Sequence, residues 1–83
     1  MARETEWQAI SSAVARILKT ERTKRDLSLA AVAEKAGISR QMVSFVEQEQ
    51  RNPTLDTLLR ICTAIGIDLA IVIRQAQRGA AKK

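Results

Sequence analysis

Apolar residues recur early in the chain at Trp7, Ile10, Val14, Ile17 and Leu18, in steps of three, four, three and one. Those steps lie on one face of a helix. The chain then turns polar through Lys19-Thr20-Glu21-Arg22-Thr23-Lys24-Arg25-Asp26. This predicts a long first helix ending near Lys24, its basic last turn suiting the helix dipole. Ser28 is a good N-cap residue, and Leu29, Val32, Ala33 and Ala36 follow at helical spacing before Gly37 stops a second, short helix. Ser39 caps a third helix with Met42, Val43 and Val46 inward, ending around Glu49. Pro53 disfavours helix at the residue before it, so Arg51-Asn52-Pro53 reads as a loop. Thr54 caps a fourth helix with Asp56 in its first turn, a predicted buried stripe of Leu55, Leu58, Leu59, Cys62 and Ile65, and Gly66 at its end.

The segment from Ile67 to Arg74 reads two ways. Ile67, Leu69, Ile71 and Ile73 alternate strictly, and four of the eight residues are β-branched, which favours a strand over a fifth helix. A lone strand cannot satisfy its own backbone, so the expected partner is the same segment of a second chain.

Composition narrows the function classes. Eighty-three residues make one small domain, and with only Trp7 and Phe45 aromatic its core must be aliphatic. There is no histidine and one cysteine, Cys62, which argues against a disulfide framework, a Cys/His zinc site and histidine base catalysis. Cys62 falls in the predicted stripe of the fourth helix, and Glu34 and Glu47 lie on different helices without metal-ligand spacing. No enzyme, cofactor or metal is expected. The longest apolar runs, Leu69 to Ile73 among them, are five residues, far short of the roughly 20 of a membrane span, and a cytoplasmic location is expected. The net charge is +5, distributed as +3 over residues 1–25, −2 over 26–73 and +4 over 74–83. Positive ends on a nearly neutral body suit a polyanion such as DNA, although solubility alone would also account for them.

The sharper signal is residue size from Leu29 onward. Val32, Ala36, Ile38, Val43 and Val46 are apolar, Ala33 is small, and Gly37 sits in the turn. A helix-turn-helix needs this pattern: a small side chain where the helices cross, a glycine at positive φ, and apolar residues sealing the angle.

With Leu27-Ser28, Val32 to Arg40, Val43 to Glu47 and Arg51 to Ile61, the chain resembles the lambda-repressor-like, XRE-type helix-turn-helix regulators, Cro-like repressors among them. The resemblance covers about residues 14–73. It implies an all-α, compact four- to five-helix bundle, with the short C-terminal strand pairing across a dimer if 67–74 is extended. It also implies that the third helix, residues 39–49, enters the major groove, with Ser39, Arg40, Gln41, Ser44 and Phe45 facing bases or phosphates. Arginine can grip guanine and glutamine adenine, while phenylalanine can touch a thymine methyl. By the same resemblance, Arg22 and Glu47 form a structural ion pair pinning the recognition helix to the first helix. Two positions depart from the family pattern. Leu29 replaces a frequent DNA-contacting glutamine, leaving the Ser28 hydroxyl and the helix N-terminus for that phosphate. Glu49 stands where a glycine is common, an unhelpful charge near phosphates unless Arg51 screens it.

The implied organisation is an N-terminal extension of helix 1 over residues 1–13, the helix-turn-helix domain over 14–73, and a basic tail over 74–83. Arg74, Arg78, Lys82 and Lys83 in that tail could reach phosphates or simply be solvated. The expected function is a sequence-specific regulator, a repressor, acting as a homodimer on double-stranded DNA with a palindromic operator. The dimer interface is expected to involve Trp7, Leu69, Ile71 and Ile73, with Trp7 and Ile10 packing on a partner or covering their own core. The alternative is an antitoxin-type member that also neutralises a toxin protein, as β-linked dimers of this family do.

Overall fold

Side-chain caps set where most of the helices begin. The computed structural model describes residues 4–81, and side chains over 6–79. It holds five helices in that span: α1 (Glu4–Lys24), α2 (Leu29–Ala36), α3 (Arg40–Glu47), α4 (Leu55–Ile65) and α5 (Leu69–Ala81). The Oγ of Ser28 accepts from the Ala31 amide at 3.0 Å, that of Ser39 from Met42 at 3.0 Å, and Thr54 Oγ1 from Thr57 at 3.1 Å. Each satisfies an amide that its helix leaves without an internal partner.

The far ends of α1 to α4 share one closure. An amide bonds back five residues: Leu27 to Arg22, Ile38 to Ala33, Gln50 to Phe45 and Ile67 to Cys62, at 2.9–3.1 Å. The residue before each donor takes the left-handed conformation this turn requires. Two are glycines, Gly37 at φ 72° and Gly66 at φ 93°; two are acids, Asp26 at φ 56° and Glu49 at φ 61°. α3 therefore ends at Glu47, two residues earlier than expected, because the chain reverses at Glu49.

The core is aliphatic. Leu18 of α1, Val32 of α2, Val43 of α3, and Ile61 and Cys62 of α4 are its most completely buried side chains, and Ala33 of α2 is buried with them. α2 packs on α3 and α4, and α5 lies along α1.

Three expectations give way to the structure. Residues 69–81 are helical, and no strand occurs among the described residues. Asp68 opens α5: its Oδ1 accepts from the Ala70 amide at 2.8 Å and its carbonyl from Ile71 and Val72. Leu69, Val72, Ile73 and Ala76 then face the core at helical spacing, while Ile71, which strict alternation groups with Leu69 and Ile73, is 49% exposed. On α4, Leu55 and Leu59 lie largely in solvent at 67% and 48% exposure, and Ile61, left out of the predicted stripe, is buried. α4 is apolar around much of its circumference, and the face centred on Ile61, Cys62 and Ile65 is the one turned inward. Finally, Arg74 and Arg78 sit on α5 rather than on a loose tail; Lys82, Lys83 and residues 1–3 lie outside the described residues.

Two arginines lock the helix-turn-helix to the rest. Arg22 Nε and Nη2 donate to the two carboxylate oxygens of Glu47 at 2.7 and 3.0 Å, and Nη1 donates to the Leu27 carbonyl at 2.7 Å. Both side chains are nearly buried, 12% and 5% exposed. Arg60 on α4 bonds Asp56 one turn back and the Ala36 carbonyl at 3.2 Å, capping the C-terminus of α2.

Removing either member of the buried pair strands its partner's charge. Arg22→Ala or Glu47→Ala is expected to cost about 3–5 kcal/mol in urea unfolding. Gly37→Ala and Asp26→Gly should act in opposite directions. The alanine is forced to a positive φ, with Arg60 Nη1 only 3.3 Å from its new Cβ, and should lose about 1–2 kcal/mol in thermal melts. The glycine relaxes an exposed left-handed residue and should gain up to about 1 kcal/mol. Burial, with a smaller effect from the Asp68 charge, pushes the Cys62 thiol from 9.0 up to about 11. From about pH 9 the unfolded chain therefore releases a proton that the folded chain keeps, and stability falls until about pH 11. Each pH unit across that window removes roughly 1.4 kcal/mol, so the drop should approach about 2–3 kcal/mol. It should vanish from the same pH series in Cys62→Ala.

Candidate nucleic-acid interface

The turn at Gly37 sets α3 across α2, and burial of Val43 and Val46 fixes which way α3 faces. Arg40 and Gln41 are consequently exposed on its first turn, side by side with the capping residue Ser39. Ser44, one turn on, is half-buried, and its Oγ accepts from Gln48 Nε2 at 3.1 Å. Phe45 is also half-buried rather than fully outward. The Arg51 guanidinium lies over its ring, 5.5 Å from the centroid, within reach of a cation–π attraction.

Ser28 and Ser39 each accept one capping bond, and each hydroxyl keeps its proton to donate. The free amides at the starts of α2 and α3 add partial positive charge beside them. Arg40 and Arg51 make no salt bridge among the described residues, so their charge is available to a polyanion. At the end of α1 the situation differs. Arg25 and Lys24 hold the Glu21 carboxyl below its ordinary value, Arg25 through the dominant hydrogen bond, so part of that basic cluster is internally neutralised.

Ser28 and Ser39 are thus the caps of α2 and α3, Arg40, Gln41, Ser44 and Phe45 lie on α3 and Arg51 follows it, while the Arg22 and Glu47 side chains are nearly buried. The residues expected at a dimer contact divide: Trp7 and Ile71 are about half exposed, whereas Leu69 and Ile73 are partly buried against their own core. Two contributors escaped sequence reasoning. The Ser12 hydroxyl on α1 donates to the Glu49 carboxylate across 37 residues, and Arg60 reaches α2; neither leaves a local signal in the chain. No helix among the described residues is long and apolar enough to cross a membrane.

The comparisons agree with this geometry. The helix-turn-helix family profile HTH_3 matches residues 18–72. An immunity repressor protein of Bacillus phage phi105 is 34% identical over 56 residues, 68% of this chain and 39% of the repressor. The HTH-type transcriptional regulator SutR of Escherichia coli strain K12 is 33% identical over 60 residues, 72% of this chain and 34% of SutR. The chain thus spans little more than a third of these curated relatives. Among solved structures, the wild-type restriction-modification controller protein C.Esp1396I superposes with a TM-score of 0.78 at 20% identity, covering 89% of this chain and 96% of the controller. A variant of that controller bound to its highest-affinity operator site superposes at 0.77 and 19% identity, covering 88% and 96%. With the fold, the two short helices around Gly37 and the profile match in agreement, this chain belongs to the helix-turn-helix family of DNA-binding regulators.

Proposed function

We propose that this protein reads a specific double-stranded DNA operator through α3 and acts as a transcriptional repressor in the cytoplasm. The observation that carries the reading is the exposed pair Arg40 and Gln41 on the first turn of a helix whose opposite face is locked into the core. Arginine and glutamine are the side chains best suited to bidentate reading of guanine and adenine in the major groove. Arg51, Ser28 and Ser39 supply phosphate contacts that set the register.

The protein acts as a homodimer, each α3 taking half of an approximately palindromic site with half-sites about 34–36 Å apart. Trp7, Leu55, Leu59 and Ile71 support this, as four large apolar side chains left 48–67% exposed. The antitoxin alternative rested on a β-linked dimer, and with 69–81 helical that support is withdrawn.

Selection of bound genomic fragments, followed by footprinting at moderate salt, tests the reading. A symmetric protected site is expected. Arg40→Ala should weaken it by about 1–3 kcal/mol and relax specificity at one base pair per half-site. Arg51→Ala should weaken all sequences alike and reduce the salt slope by about 1. Weak, uniform binding indifferent to Arg40→Ala would overturn the reading.

A further inference from the structure

Glu49 is an odd residue for its position. It holds a left-handed backbone at φ 61°, where glycine costs less, and it places a carboxylate two residues from Arg51 at the edge of the DNA-facing surface. An exposed acid so close to a needed arginine would ordinarily pair with it and would repel phosphate. No such pair forms within the protein. Glu49 turns to α1 and accepts the Ser12 hydroxyl, while Arg51 turns to α3 and lies over the Phe45 ring, with no salt bridge between them.

We propose that Ser12 is a positioning residue for DNA binding: its hydroxyl holds the Glu49 carboxylate against α1, leaving Arg51 unneutralised on Phe45 and presented to a DNA phosphate. This rests on the DNA-reading function proposed above. Three observations meet in it. Ser12 lies outside residues 18–72, the segment matched by the family profile, so the profile does not call for this tether. The turn at Glu49 is already closed by the Gln50 amide on the Phe45 carbonyl at 2.9 Å, so the bond to Ser12 is not required to end α3. Ser12, Glu49 and Arg51 also line one groove between α1 and the α3–α4 turn, so a released carboxylate and Arg51 border the same open space.

The tether acts on charge, and charge gives it a distinctive test. Wild type, Ser12→Ala, Ser12→Thr, Glu49→Gln and the double variant Ser12→Ala/Glu49→Gln are titrated onto the footprinted DNA fragment over a range of salt concentrations. Ser12→Ala should weaken binding about two- to fivefold, the competition expected from one exposed ion pair, and lower the salt slope by up to about 0.9, one phosphate contact. Ser12→Thr, which keeps the hydroxyl, should restore both. In the Glu49→Gln background Ser12→Ala should have no effect, because a neutral amide cannot capture Arg51. A purely structural Ser12 would instead give the same loss in both backgrounds with an unchanged slope, and that result, or no effect of Ser12→Ala at all, overturns the proposal. If wild type itself shows no Arg40-dependent site, it is the DNA-reading function that fails.

Discussion

How Arg40 and Gln41 are presented depends on the angle of one eight-residue helix, α3, and that angle depends on the guanidinium of Arg22. Its three nitrogens are all engaged, two on Glu47 at the end of α3 and one on the carbonyl of Leu27 just before α2. Helices as short as α2 and α3 are not stable alone in water and take their order from what they touch. A single planar fork therefore ties three segments that local propensity could not hold together. Lysine has the charge but not the geometry, since one ammonium cannot grip both carboxylate oxygens and a carbonyl in a fixed plane.

The turns supply a second layer of constraint. Four successive helices close in the same way, but glycine fills the left-handed position at only two of them. At the other two the chain accepts backbone strain in order to carry a carboxylate. Asp26 forms no side-chain bond among the described residues, whereas Glu49 reaches α1 through Ser12. Strain at Glu49 thus comes with a tether, and the tether lies beside the surface that carries Arg51 and Phe45.

How far the chain could be read follows from how far each signal travels. Ser28, Ser39 and Thr54 as caps, with Gly37 and Gly66 as stops, are contests settled within a few residues, and each was legible. The outward placement of Arg40 and Gln41 follows from the period of α3 once Val43 and Val46 are inside. α5 was obscured because an almost continuously apolar run satisfies a period of two as easily as one of 3.6. The residue that discriminates is Asp68, a helix opener just ahead of the run. Leu55 and Leu59 were misplaced for a related reason, since an apolar helix does not say which of its faces meets a neighbour. The contacts of Ser12 with Glu49 and of Arg60 with Ala36 span 37 and 24 residues and exist only once the chain has folded.

The absence of aromatic side chains from the core also determines what the molecule reveals to light. Its interior is aliphatic, and its only two aromatic rings stand at the periphery: Trp7, 54% exposed near the start of α1, and Phe45, half-buried on α3 beneath Arg51. Without tyrosine, emission excited at the long-wavelength edge of protein absorption, where phenylalanine does not absorb, belongs to Trp7 alone. An indole already half in water changes little in surroundings when the core melts, but changes sharply when another surface covers it. Intrinsic fluorescence in this protein is therefore a gauge of contact at the outer end of α1, and a poor one of folding.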